Sequence, residues 1–435
     1  MKNLPREMIK EAMAIVTGLG LILSAAAVNS IPVQLTISDV FYIIPDTGQT
    51  LFYNNTDIIS STEDGEPFYG QDAQYSDSPQ PDYQDNGDGT VTDLNTGLMW
   101  QKDPGSFKKT YDEALEDVES LDLAGYTDWR MPSIKELYSL IDFNGRDPSG
   151  YEGSDTSGLI PFINTNYFNF QYGDPDNGER IIDAQYASSN LYVSSTMNDG
   201  GRTAFGVNFA DGRIKGYGLT IFGQDKTFFV IYVRGPEKYG ANTYEDNNDG
   251  TITDLSTGLM WQKDDSGYGM TWEDALDYAE ELELAYYQDW RLPNAKELQN
   301  ILDYTRSPDT TGSPAIDPVF TTTTITNEAG DHDYPCFWTG TTHANWTDRP
   351  GSAAVYIAFG RAMGYMGGTW GDVHGAGAQR SDPKEGDPDD YPFGRGPQGD
   401  AIRIYNYVRC VRTAPIPEPG FLSNIVVLLL LLKNR

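Results

Sequence analysis

Cysteine is almost absent from this 435-residue chain, occurring only as Cys336 and Cys410. Histidine is nearly as scarce: His332, His343 and His374 are widely spaced and form no HExxH pattern. A tetrahedral zinc site built from these residue types is therefore excluded. Basic residues are also few, 30 Lys and Arg against 64 Asp and Glu, giving a formal charge of −34. Phosphate backbones would be repelled by such a chain, which removes nucleic acid as a partner. No serine nucleophile elbow, phosphate-cradling glycine loop or metal-hydrolase motif occurs. Carboxylates are so plentiful that no pair stands out as an acid/base couple, so catalysis is not expected. An uncharacterised hydrolase is the third-ranked alternative.

Enough apolar and aromatic residues are present to build cores: 39% are hydrophobic, with 8 Trp, 28 Tyr and 18 Phe. The high content of Gly (45 residues), Asp, Asn and aromatics favours short strands and many turns over long helices. Residues 1–27 read as a secretory signal, with Lys2, Arg6 and Lys10 ahead of an uncharged stretch at 12–23. Ala25 and Ala27 supply the small-x-small cleavage pattern. At the other end, residues 414–435 carry a Pro-Glu-Pro tripeptide, an apolar run and a basic tip, and resemble a PEP-CTERM sorting tail. The apolar run at 421–432 would be about 18 Å long as a helix, against a hydrocarbon core of about 30 Å. The chain is thus expected to be exported, with membrane contact only through its signal or its tail.

The dominant feature is an internal repeat. DNGDGTVTDLNTGLMWQK at 85–102 returns as DNNDGTITDLSTGLMWQK at 246–263, and 85–143 aligns with 246–304 without a gap, identical at 32 of 59 positions. Duplication of one folding unit follows, with domains expected at 82–235 and 243–413 after a leader at 28–81. In the first copy, 90–94 alternates like a strand, Asn95, Thr96 and Gly97 turn, and 98–101 returns as a second strand. TYDE at 110–113 forms a capping box for a helix with Ala114, Leu115, Val118 and Leu121 inward. SIKE at 133–136 opens a second helix burying Leu137, Leu140 and Ile141, and NAKE at 294–297 is its counterpart. Strand-rich stretches follow at 192–214 and 337–363, then at 227–235 and 401–412. A hairpin, two helices and several antiparallel strands make each copy α+β.

DGTVTDLNTGLMWQK, then YTDWRMP with KEL, a VSST or WTGT strand and a closing YVRG or YVRCVR together resemble the Lcl C-terminal domain family, in two tandem copies. The resemblance implies a fold related to C-type-lectin-like and sulfatase-modifying-factor-like domains. It also implies an exported surface protein, as in collagen-like adhesins that bind polyanionic glycans. A grip on sulfated polysaccharide needs a basic surface, which this acidic chain lacks. A neutral glycan or an extracellular protein is the expected partner, and a structural envelope or matrix component is the alternative.

Candidate site residues follow from this frame. Asp85, Asp88 and Asp93, with Asp246, Asp249 and Asp254 in the second copy, have two readings: oxygen ligands for calcium, or acceptors shaping tight Asn-Gly-Asp-Gly turns. No closing bidentate Glu exists in either copy, so an EF-hand is excluded, and no cofactor is required. Trp129-Arg130 and Trp290-Arg291 are expected to fill core and to pair internally. Placing WTGT (338–341) over VSST (193–196) sets Cys336 opposite Leu191, and placing YVRC over YVRG sets Cys410 opposite Gly235. Both cysteines belonging to one copy suggests a disulfide, which would contribute about 4–5 kcal/mol by chain entropy, with a pair of free thiols as the alternative. The Gly-, Pro- and Asp-rich stretch 371–400 has no equivalent of its length in the first copy. It is expected to be a long loop, read either as a disordered, solvated insertion or as a binding loop with Arg380, Lys384 and Arg395 as candidate ligand contacts; Trp338 is a further candidate contact, or fills core.

Overall fold

Aspartates shape the turns of the repeated phrase. Asp88 accepts from the Thr90 backbone N–H at 3.1 Å and from its hydroxyl at 2.6 Å, while Gly87 and Gly89 take φ of +75° and +91°. Left-handed backbone of this kind suits glycine. Asp249 and Thr251 repeat the bond pair at 3.1 and 2.6 Å. The computed structural model describes residues 41–75, 78–197, 201–221 and 223–414. The expected signal at 1–27, the start of the leader and the tail from 415 onward lie outside the described residues.

In the first copy the turns join β1 (Tyr83–Asp85), β2 (Thr90–Asp93) and β3 (Met99–Gln101). Helix α1 (Tyr111–Glu119) and helix α2 (Ile134–Ser139) begin at the expected capping boxes of Thr110 and Ser133. Strands β4 (Gln185–Leu191), β5 (Thr203–Asn208) and β6 (Arg213–Gly218) follow, and β7 (Val233–Arg234) returns to pair with β3. The second copy repeats the series. It has β8 (Tyr244–Asp246), β9 (Thr251–Asp254), β10 (Leu259–Gln262), α3 (Trp272–Glu280) and α4 (Ala295–Asn300). Then come β11 (Cys336–Thr342), β12 (Ala353–Ala358), β13 (Gln379–Pro383) and β14 (Val411–Thr413). Few helices and many short strands make the chain α+β with two repeats, as expected.

Both copies lie within one compact unit. Each contributes three strands to a single six-stranded antiparallel sheet in the order β11-β12-β13-β6-β5-β4, joined where Gln379 pairs with Ile214. Side chains alternate across this sheet. On one face Val207, Ile214, Val355 and Ile357 join Leu137 of α2 and Leu298 of α4 in a core common to both copies. On the other face, α1 packs Tyr111 and Ala114 against Ala187 and Ala204, while α3 packs Trp272, Ala275 and Leu276 against Trp338, Ala354 and Tyr356. Leu115 departs from its expected inward position and is exposed, because α1 touches the sheet only through a narrow stripe.

Sheet register corrects the alignment of the later strands. Ser188 Oγ donates to the Phe205 carbonyl at 2.7 Å as Thr339 Oγ1 donates to that of Val355 at 3.0 Å. Ser189 N–H reaches the Pro132 carbonyl at 2.8 Å as Gly340 N–H reaches that of Pro293 at 2.9 Å. Trp338 therefore corresponds to Ala187 and Cys336 to Gln185, not to Leu191. Gln262 N–H reaches the Cys410 carbonyl at 3.0 Å as Gln101 N–H reaches that of Tyr232 at 2.9 Å, so Cys410 corresponds to Tyr232, not to Gly235. The expected disulfide is likewise corrected: Cys336 and Cys410 are free, buried thiols. Cys336 pairs with Ala358 in the shared sheet, whereas the Cys410 carbonyl accepts from Gln262 N–H beside the smaller β8-β9-β10-β14 sheet. The stretch 371–400 is also not one long loop, since its residues 379–383 are β13 at the centre of the shared sheet.

Candidate functional site

The six aspartates named as calcium ligands do not converge. Asp85 pairs with Lys102 and accepts from Gly87 N–H, and Asp246 pairs with Lys263 at 2.6 Å and accepts from Asn248 N–H. Asp93 and Asp254 are buried in the second turn, where each accepts the N–H two residues on. Among the described residues no group of three or more His, Cys, Asp or Glu could hold a metal ion. Turn geometry is the reading of this phrase that the structure carries.

Three of the four candidate ligand contacts are interior. Trp338 is fully buried and donates its indole N–H to the Met270 carbonyl at 2.9 Å. Arg380 is buried against Asp400, which also meets His374 Nε2 at 2.7 Å. Burial pushes the His374 imidazole down to about 4, so it is neutral near pH 7. Lys384 is buried, with Nζ 2.8 Å from Thr342 Oγ1 and 3.6 Å from the centre of the Trp272 ring. Only Arg395 is exposed. Arg380 and Lys384 are taken up in holding β13 and its neighbours rather than in presenting charge to a ligand. Trp129, Trp290, Arg130 and Arg291 behave as expected: both indoles are buried, and both arginines pair with a glutamate six residues on.

The structure instead gathers a different set around a surface cleft of about 370 Å³ in the second copy. Its walls are aromatic and prolyl, with Trp370, Tyr391, Tyr405 and Tyr407 beside Pro388 and Pro392. Trp370 is braced by its cross-strand partner Tyr365, the ring centres 5.4 Å apart at 66°. The floor is polar. Arg403 makes a two-pronged bond to Glu328 at 2.7 and 2.9 Å, and its remaining nitrogen reaches Cys336 Sγ at 3.1 Å. Burial opposes the Glu328 charge, but Arg403 outweighs it and holds that carboxyl below its ordinary value. Cys336 is pushed up to about 12 by burial and stays a thiol, which makes it unreactive.

One strained residue sets the shape of this floor. Ile404 is a buried, β-branched residue at φ +61°, a region such residues rarely enter. Asp382 of β13 holds it there, its Oδ2 accepting from the N–H groups of Arg403 and Ile404 and from the Asn406 amide, each at 3.1 Å. Strain of this kind persists only where surrounding contacts impose it, and it clusters at binding sites. Glu328, Arg403 and Asn406 were invisible to sequence reasoning because 75 residues separate the members of the ion pair. The one available signal was aromatic: Trp370 and Tyr391 interrupt a run of Gly, Pro and Asp.

The family model described as Lcl C-terminal domain matches the chain twice, at residues 89–234 and 250–373. Neither the curated proteins nor the solved structures contain a match. No described helix is long and apolar enough to cross a membrane.

Proposed function

The chain belongs to the Lcl C-terminal domain family, in two tandem copies, and on that premise we propose that it is an exported, cell-surface, non-catalytic binding protein for a neutral glycan. Each copy is read as a variant of the C-type-lectin-like and sulfatase-modifying-factor-like architecture. The observation that supports the reading is the second-copy cleft. Aromatic faces such as Trp370 and Tyr405 suit the C–H faces of a sugar ring, and Glu328, Arg403 and Asn406 offer fixed donors and acceptors to its hydroxyls. A formal charge of −34 disfavours sulfated or phosphorylated chains. The test is a glycan array probed with the exported chain, followed by calorimetric titration of any hit. Neutral hits should bind at least about tenfold more weakly to Trp370→Ala and Tyr405→Ala, with thermal stability retained. A silent array, or affinity untouched by both substitutions, rejects this assignment.

A further inference from the structure

The leader fills a slot between the copies. Lys296 of α4 donates to the Asp46 carbonyl at 2.7 Å, and Phe143 N–H donates to the Thr47 carbonyl at 2.9 Å. Gln49 closes the slot: its amide donates to the carbonyls of Phe143 at 3.2 Å and Thr342 at 2.8 Å, and it accepts from Thr342 N–H at 2.9 Å. Residues 46–49 thus lie against an α4 lysine of one copy and the 142–144 turn of the other.

Duplication creates the same slot a second time with the copies exchanged. Lys135 of α2 corresponds to Lys296, and the turn at Asp303, Tyr304 and Thr305 corresponds to 142–144. Both turns close alike, with Asn144 N–H 2.9 Å from Asp142 Oδ1 and Thr305 N–H 2.9 Å from Asp303 Oδ1. By the sheet register, Asn190 and Leu191 stand where Thr341 and Thr342 stand in the other copy. Lys135, Asn190, Asp303, Tyr304 and Thr305 line a cavity of about 370 Å³, with Leu191 next to Asn190 on the β4 edge, a volume within the range of about 300–1,000 Å³ common for ligand sites. Lys135 is held by the linker between the copies, its Nζ 2.9 Å from the Gly240 carbonyl and from Asn242 Oδ1, but two further observations show that the second slot lacks counterparts of Thr47 and Gln49. Thr342 is fully buried under Gln49 while Leu191 is exposed, and Thr341 is buried while Asn190 is half-exposed. Phe143 bonds the leader through both its N–H and its carbonyl, whereas neither group of Tyr304 has a hydrogen-bond partner among the described residues.

We propose that this open slot is a peptide-binding site that accepts an extended segment of the Asp-Thr-Gly-Gln type from a partner polypeptide. The partner segment would lie as residues 46–49 lie in their own slot, pairing its backbone with Tyr304 and its glutamine amide with the β4 edge at Leu191. Binding here is independent of the aromatic cleft and of any glycan.

The test is a fluorescein-labelled peptide of residues 43–51, IIPDTGQTL, titrated into the intact protein and followed by anisotropy. Saturable one-to-one binding is expected. Replacing the peptide glutamine by alanine should weaken it about tenfold or more, as should Thr305→Trp in the protein. Thr305 is exposed, so that variant should keep its melting temperature. Leu191→Arg, on the exposed β4 edge next to Asn190, gives a second blocked slot. Absence of saturation rejects the site, and so does binding indifferent to both protein substitutions, which would mean exchange with the resident leader. Self-association abolished by Thr305→Trp would instead transfer the slot to a second copy of this chain and overturn the separate partner.

Discussion

Replacing Arg291 by methionine tests how the repeat uses its invariant Trp-Arg step. Arg291 binds Glu297 through two bonds of 2.6 and 2.7 Å, with side chains 6% and 0% exposed. Methionine keeps the stem packing but leaves the Glu297 carboxylate uncompensated, a loss of about 3–5 kcal/mol. The first copy supplies an internal control. Arg130 and Glu136 make the same fork at 2.5 and 2.7 Å, but the arginine is 28% exposed. Water can reach that pair, so Arg130→Met should cost about 1–3 kcal/mol, between the exposed and buried limits. For a urea slope of about 3 kcal/mol/M, Arg291→Met lowers the denaturation midpoint by about 1–1.7 M. Glu297→Gln added to Arg291→Met should recover roughly half of that loss, because the buried charge is gone. The glutamine oxygen still accepts from Asn294 N–H as Glu297 does at 2.9 Å, so the helix cap survives. Equal shifts for Arg291→Met and Arg130→Met, or a double variant no more stable than the single, would refute the reasoning.

Asp372 provides a pH test. Burial is the main cause that raises its carboxyl from 3.8 to about 7, against bonds from Gly375 N–H and the Tyr192 hydroxyl. Between those values the folded state holds the proton more tightly than the unfolded one, so this group's contribution is full below about pH 4 and is lost as pH rises to about 7. Asp372→Asn imitates the protonated form. Its stability relative to the unaltered chain should be flat below about pH 4, climb by up to about 4 kcal/mol as pH rises to about 7 and level off above it, in paired thermal melts. A constant difference across that window contradicts the burial of this charge. Calcium is the simplest perturbation: moving from excess chelator to about 10 mM calcium should change the melting temperature by less than about 2 °C. A larger, saturable rise would mean that the turn aspartates release their N–H partners to an ion.

What the sequence determined was local. Asp88 two residues before Thr90, glycine at 87 and 89, and Ser or Asn three residues before a KE-glutamate fix turns and helix starts through bonds a few residues long. Such geometry is encoded where it occurs, so both hairpins, the capped starts of α1, α2 and α4 and the duplication itself were legible. Trp290 and Arg291 were legible for the same reason, the arginine's partner lying one helical turn beyond its cap. Tertiary structure decided everything that depends on distant strands meeting. Residues 371–400 carry the composition of a loop, yet five of them become a central strand because β6 of the other copy offers an open edge. Arg380 and Lys384 were consequently buried rather than displayed. Cys336 and Cys410 remained free thiols, Cys336 within the shared sheet and Cys410 just before β14 of the smaller one. The slot occupied by residues 46–49 and its open twin exist only because two similar copies joined edge to edge in one sheet, an arrangement set by the shared core rather than by any segment alone.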